Sequence, residues 1–592
     1  MKTISPSVTY TVSIDKTHAH LFEVRCEIAN PKLRSQKVSL PAWIPGSYLV
    51  RDFAKNIVQI SAFEGSKKLE ISKIDKDSWH ITGAQKNLTV CYEVYAHDKS
   101  VRAAFLDDTR AFFNGTSLFL KVEGKEQQNH RVLVTPSKQA IEQEWRIATS
   151  MKQLNPRHRG WGQYESDNYE DLIEHPFEIG TFVQKTFEVK GVRHELVIAG
   201  CPDVDITRIS TDLQRLTAEH IRFWGAMPAN RFLFLVNAVN DGYGGLEHTH
   251  STALICSRDD LPRKNRKTNE TKYQQFLGLC SHEYFHLWNV KRLKPTAFIP
   301  YKLNTETHTE LLWAFEGITS YYDDLILLRA GLIDFQTYLG LLAKTISSVQ
   351  RTPGRKKQSV AESSFDAWTK FYKQDENAPN AIVSYYTKGS LVALCLDLYL
   401  RKHTENKCSL DLLMRELWKK YGSKNSGLLD QSIQKTAEEI SGLRLNNFFK
   451  KYVRGVDELP LSDLLEFAGI KLNFGYRRHN GDMGGFIQPE DFERGNTPSF
   501  NDIGIRLHSN SGRAKISNVL EKSSGQLAGL SPGDEIVAVD FKQVSSRDLQ
   551  TTIDQYEIGN LLMLHVFRDQ QLIELKLKLT KPAKDTAFLT IV

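Results

Sequence analysis

Only a helix makes His282 and His286 neighbours. They stand four residues apart in the apolar-periodic run Gln275-Phe-Leu-Gly-Leu-Cys-Ser-His-Glu-Tyr-Phe-His-Leu-Trp-Asn-Val290, and on a helix that spacing puts both rings on one face, one turn apart. Two imidazoles so placed can hold one divalent metal, and Glu283 between them can take a proton from a water bound there. The pattern implies hydrolysis by a zinc-activated water. The competing reading is two core histidines beside a surface glutamate, but histidine is scarce, 18 in 592 residues. The motif is also flanked by apolar residues and followed by Lys291-Arg292 and Pro295, a reasonable helix end.

A catalytic zinc usually keeps three protein ligands. Metzincins need Gly at 289 and His at 292; the chain has Asn289 and Arg292, so that class is excluded. The alternative third ligand is a glutamate from a later helix. Glu316 lies among Trp313, Phe315 and Ile318, and a carboxylate on an apolar helix face is costly unless paired or metal-bound. Glu310 competes, but it sits near the expected helix start, where an acidic residue interacts with the dipole. His308 reads as a solvated residue at that start. One Zn2+ per chain is the expected cofactor, although two imidazoles and a carboxylate would also accept cobalt or manganese.

A chain of 592 residues exceeds one core and predicts several domains. Residues 1 to about 170 alternate apolar and polar in short runs, such as Val8–Ile14, Leu21–Ile28 and Leu88–Tyr95, which predicts a sandwich-like β domain. From about 175 to 300, strands such as Phe232–Val236 mix with helices. From about 303 to 475 the chain reads as mostly helical, most clearly at Leu303–Ala330 and Ser390–Arg401. Gly481-Asp-Met-Gly-Gly485 marks a linker. A β-rich tail follows, with a helix near Asp548–Tyr556 and strands near Leu561–Phe567 and Leu572–Leu579.

The net charge of +7 is small for this size and argues for neither nucleic acid nor membrane as partner. No apolar run is long enough to span a bilayer, and the start carries no apolar signal core. Seven scattered cysteines without a Cys-x-x-Cys pair read as reduced core residues, so the expected location is cytoplasmic. Arg263-Lys-Asn-Arg-Lys267 reads as a solvated loop.

Ala528-Gly-Leu-Ser-Pro-Gly-Asp-Glu-Ile536 resembles the signature of a PDZ domain. Such domains add an extended peptide to a sheet edge. Ile503-Gly-Ile505 occupies its carboxylate-loop region in a form that departs from Gly-Leu-Gly-Phe, so a packing module is the alternative role for the tail. The chain as a whole resembles the glycyl aminopeptidase-type metallopeptidases, relatives of aminopeptidase N and thermolysin. The resemblance rests on Pro45-Gly-Ser-Tyr-Leu-Val-Arg-Asp52, Gly244-Gly-Leu-Glu-His248, His282 through Pro295, Phe315-Glu-Gly-Ile-Thr-Ser-Tyr-Tyr322 and Tyr386-Thr-Lys-Gly389.

That resemblance implies a multidomain α+β fold: an N-terminal β domain (1–172), a thermolysin-like zinc domain (173–375), a helical domain (376–480) and a PDZ domain (485–592). It implies that His282, His286 and Glu316 hold zinc, that Glu283 is the general base and that Tyr386 hydrogen-bonds the oxyanion. Tyr385, its neighbour, would point about 100° away on a helix. Glu247 would bind the substrate's α-ammonium, with Gly244 and Gly245 allowing close backbone approach; His248 departs from the Asn usual at its position. The expected activity is removal of N-terminal residues, small ones such as glycine or alanine, from peptides with free N-termini. A thermolysin-like endopeptidase and a PDZ-based peptide-binding scaffold with little activity are the alternatives.

Overall fold

The computed structural model describes residues 6–592, apart from 33, 157, 496, 510 and 511 and the side chains of 493–495. The first five residues, part of the start that carries no apolar signal core, lie outside the described residues. The chain divides into two compact units, one of residues 1–307 with 418–427 and the other of 308–417 with 428–592.

In the first unit the alternating runs form strands whose buried positions recur every second residue, one face to the core and one to solvent. β1 (Val8–Lys16), β2 (Leu21–Ala29) and β3 (Asn87–Tyr95) pair antiparallel in sequence, and β4 (His130–Thr135) adds parallel to β1. Beyond this sheet lies a mixed one: β5 (Phe182–Val189), β6 (Val192–Ala199), β7 (Arg231–Val239), β8 (Tyr243–Glu247) and β9 (Ser251–Ser257), in the order β5-β6-β7-β9-β8. The central strand β7 is buried from Phe232 to Ala238, as a strand covered on both faces must be. β8 lies at an edge, antiparallel to β9.

Two helices pack beside this sheet. α1 (Ile206–Trp224) is capped by Asp205, whose side chain accepts from Arg208 N, and ends at Gly225 in the left-handed region (φ 78°). α2 (Glu270–Phe285) carries the histidine pair; Asn269 caps it by accepting from Lys272 N at 3.2 Å. Such a cap contributes about 1 kcal/mol. The helix ends at Phe285, and His286 is its C-terminal cap residue.

The second unit holds the helices and the β-rich tail. The helix expected over Leu303–Ala330 begins only at Trp313, as a π-helical turn (Trp313–Gly317) leading into α3 (Ile318–Arg329). His308 therefore does not open a helix; its Nδ1 donates to the Phe365 carbonyl at 2.8 Å. α4 (Phe335–Gln350) and α5 (Thr387–His403) complete the helical part used below.

β10 (Ile470–Tyr476) then precedes the tail. There β11 (Ile505–Leu507), β12 (Ala514–Val519), β13 (Glu535–Val539), α6 (Leu549–Ile553), β14 (Leu561–Arg568) and β15 (Gln571–Lys578) surround a core of Ile516, Ile536, Leu562, Leu564 and Leu577. β11 is an edge strand, and a cavity of about 390 Å³ beside it is lined in part by Ile503, Ile505, Leu507, Leu549 and Ile553.

The last strand, β16 (Lys584–Ile591), returns to pair antiparallel with β10. Gly485–Phe486 pairs parallel with it. The stretch read as a linker is thus partly built into a sheet. Period-two and turn signals near 481–485 could not report a strand whose partner lies about 100 residues on. Among the described residues no helix is long and apolar enough to cross a membrane, and the seven cysteines are unpaired.

Candidate active site

On α2 the rings of His282 and His286 stand with centroids 4.7 Å apart. The last helical turn does more than space them. The chain tightens after Phe285, so the Asn289 carbonyl faces His286 and accepts from its Nδ1–H at 2.8 Å. That bond selects the tautomer in which Nε2 carries the lone pair, the arrangement a metal-binding imidazole needs. His286 is buried and His282 half-buried.

Glu283 projects toward the edge strand β8. One carboxylate oxygen of Glu283, one of Glu247 and a ring nitrogen of His286 lie within 4.8 Å of one another. This closeness depends on two glycines. A Cβ added at Gly245 would fall 2.2 Å from Glu283 Oε1, so the space a side chain would fill holds the carboxylate. At Gly46 (φ +95°), a Cβ would fall 2.4 Å from Glu247 Oε2. A side chain in either place would have to displace the carboxylate. Gly244 (φ +152°) faces Arg102 instead.

Gly46 is held by the loop that carries it. Ala42 N donates to Leu303 O at 2.7 Å, and Trp43 Nε1 donates to the carbonyls of Lys302 and Thr305. Tyr48 stacks on Phe298 at 5.9 Å. Tyr301, beside Trp43 at 5.8 Å, has its phenol pushed well up by burial and then by the charges of Glu174, Glu170 and Glu247. The Pro45-Gly-Ser-Tyr motif therefore forms a wall beside Glu247.

Behind β8 lies a buried charged cluster. His248, which follows Glu247, stands 3.8 Å from Glu174, and Lys291 Nζ donates to Glu174 Oε1 at 2.6 Å. Thr249 N donates to Glu174 Oε2 at 2.9 Å. Burial alone would raise the Glu174 carboxyl, but Lys291 and His248 hold it well below the usual range. The His248 imidazole is lowered by burial, with Glu174 opposing. His248 and Lys291 thus connect the end of β8 with the turn after α2. The sequence signal for this was only a His and a Lys inside two of the motifs, with nothing to relate them.

In the second unit, Glu316 is buried on the π-helical turn, a helix defect often found at functional sites. Gly317, beside it, meets Gly389 of α5: a Cβ at Gly317 would fall 2.6 Å from Gly389 Cα and 2.8 Å from the Tyr385 carbonyl. The glycine ending Tyr386-Thr-Lys-Gly389 thus allows two backbones to touch. Lys388 Nζ donates to the Arg355 carbonyl at 3.0 Å, and burial lowers its ammonium to about 8.

Of the two adjacent tyrosines, Tyr385 is fully buried and Tyr386 is only partly so. The Tyr386 phenol is pushed well up by burial and then by the charge of Glu316, so it stays protonated at neutral pH. It shares a hydrogen bond of 3.1 Å with Tyr372, a residue that no motif pointed to.

Residues 9–181 match the Peptidase M61 N-terminal domain, residues 275–392 match the M61 glycyl aminopeptidase, and residues 501–579 match a PDZ domain. No curated protein matches the chain. Among solved structures, an aminopeptidase N family protein from Idiomarina loihiensis is 38% identical over 99% of this chain and 98% of that one, with a TM-score of 0.94. An M1 zinc metallopeptidase from Deinococcus radiodurans is 12% identical over 77% of this chain and 94% of that one, with a TM-score of 0.49. With one relative alike over almost its entire length and two M61 regions in place, the chain belongs to the M61 glycyl aminopeptidase family and carries a C-terminal PDZ domain.

Proposed function

We propose that the chain removes small N-terminal residues, glycine or alanine, from peptides, with Glu283 as general base and Glu247 as the anchor for the free α-ammonium. The observation that carries this reading is the corner in which carboxylate oxygens of Glu247 and Glu283 and a ring nitrogen of His286 lie within 4.8 Å of one another. An anionic anchor that close to a base and a metal ligand suits a substrate whose charged end is one residue from the bond to be cut. The wall of Pro45, Gly46 and Tyr301 beside Glu247 favours a small first side chain.

His282, His286 and Glu316 would hold one zinc per chain. Two imidazoles and a carboxylate are a donor set that zinc accepts, and the His286 Nδ1–H bond to Asn289 leaves Nε2 for it. When bound, zinc would polarise the scissile carbonyl and lower the pKa of a water to around 7. Glu283 takes the proton of the attacking water and later gives it to the leaving amine. Tyr386, kept protonated, donates its O–H to the oxygen that gains charge, a contact worth about 2–4 kcal/mol. Glu247 fixes the amine so that the carbonyl arrives in register. The edge strand β11 and its cavity offer a second place for an extended peptide.

The test is hydrolysis of Gly-, Ala- and Leu-p-nitroanilide beside an N-acetyl-Ala control, for the wild type and Glu247→Ala, with metal analysis of both proteins. The expected result is one zinc per chain, cleavage of free-amine substrates only, Gly and Ala before Leu, and loss of that cleavage in Glu247→Ala. Equal cleavage of the blocked substrate would instead make the chain an endopeptidase.

A further inference from the structure

Arg102 comes from the N-terminal β domain, yet its side chain ends on the candidate site. Its Nη2 donates to the Gly245 carbonyl at 3.2 Å, and a Cβ at Gly244 would lie 3.5 Å from Nη1 and 3.7 Å from Nη2. The guanidinium therefore lies along β8 where two successive residues lack side chains. Arg110 pairs with Glu178 at 2.6 Å and Arg329 with Asp411 at 2.9 Å, whereas Arg231 and Arg292 donate to backbone carbonyls. Arg102, half-buried, has no carboxylate within ion-pair distance among the described residues.

Its backbone is fixed from both sides. The fully buried Asn114 donates through Nδ2 to the carbonyls of Val101 at 2.9 Å and Ala103 at 3.2 Å. A cation held in place beside a reaction site, with donors to spare and no anion of its own, suits an anion brought by the substrate.

We infer that Arg102 receives the C-terminal carboxylate of the substrate, so that the chain prefers peptides of two or three residues; this rests on the aminopeptidase reading above. β8 is an edge strand, and an extended peptide with its amine at Glu247 would run alongside it. The Gly245 carbonyl, two residues from Glu247, is already taken by Arg102, so the edge is closed to further pairing there. Two residues of strand span roughly 6.6 Å, the length of a dipeptide. The reach of an arginine accommodates one residue more, and a longer chain would have to leave the edge.

The experiment compares kcat/KM for Ala-Ala and Ala-Ala-Ala with those for their C-terminal amides, in the wild type, Arg102→Met and Arg102→Lys, with Ala-p-nitroanilide alongside. The wild type is expected to favour the free acids by about ten-fold or more, the size of one charged hydrogen bond. That ratio should fall close to one in Arg102→Met and to an intermediate value in Arg102→Lys, whatever happens to the absolute rates. A wild-type ratio near one overturns the inference and leaves the aminopeptidase reading standing. So does a ratio that Arg102→Met leaves unchanged while both rates fall, because a strut for β8 would act on acids and amides alike. Failure to cleave any free-amine substrate, Ala-p-nitroanilide included, overturns both.

Discussion

Glu283 and Glu316 are both buried carboxylates beside a glycine, and the two glycines do opposite things. Gly245 clears space for the carboxylate itself, because its missing Cβ is where Glu283 lies. Gly317 clears space for backbone, letting the Glu316 turn and α5 touch at Gly389. The first glycine serves the position of one functional group; the second serves the packing of two helices. Identical residue types inside two different motifs should therefore fail differently when replaced.

Glu174 sharpens the contrast, since it is seated by charge and not by space. Lys291→Met should cost about 3–5 kcal/mol in chemical denaturation, because it strands a buried carboxylate. Adding Glu174→Gln should recover much of that loss. The pH dependence has a definite sign. The folded carboxyl lies below its unfolded value, so its stabilisation is present above the ordinary glutamate range and fades as pH falls toward the folded value. The Lys291→Met variant should lack that part of the acid sensitivity.

Gly245→Ala comes next. The added methyl displaces the Glu283 carboxylate, and peptidase activity should fall about 100-fold while the melting temperature stays within a few degrees, as read by calorimetry beside the assay. A large loss of stability would erase the distinction between the two glycines. Gly317→Ala has the smallest expected free-energy effect. It should destabilise by about 1–3 kcal/mol through backbone overpacking, with activity at about 25 °C near that of the wild type because the chain stays almost wholly folded. A fully stable but inactive Gly317→Ala would place that glycine in the same class as Gly245.

Much of this was visible in the chain because it depends on neighbours in sequence. The alternation at Val8–Ile14 and Leu21–Ile28 and the four-residue spacing of His282 and His286 are local patterns, and the corresponding elements appear where those patterns lie. Residues 303–312 failed because their role is tertiary: the carbonyls of Lys302, Leu303 and Thr305 are occupied by Trp43 and Ala42, about 260 residues earlier. Arg102 meets Gly245 across 143 positions, and Gly46 reaches Glu247 across about 200. Tyr372 lies only 14 residues from Tyr386, but the intervening chain has no repeating pattern to relate them.

The pairing of β16 with β10 fixes how the PDZ domain is carried. The chain enters the domain after one of these strands and leaves it into the other, so both of its ends are zipped into the same ribbon. That ribbon is riveted to α4, where Ala587 N donates to Ser347 Oγ at 2.8 Å, and beside it Arg351 binds Asp585 at 3.1 Å. A module on one leash explores a sphere set by its linker. A module leashed at both ends to one clasp has a small search volume, and whatever peptide it holds is kept at a high effective concentration near the helices of its own unit.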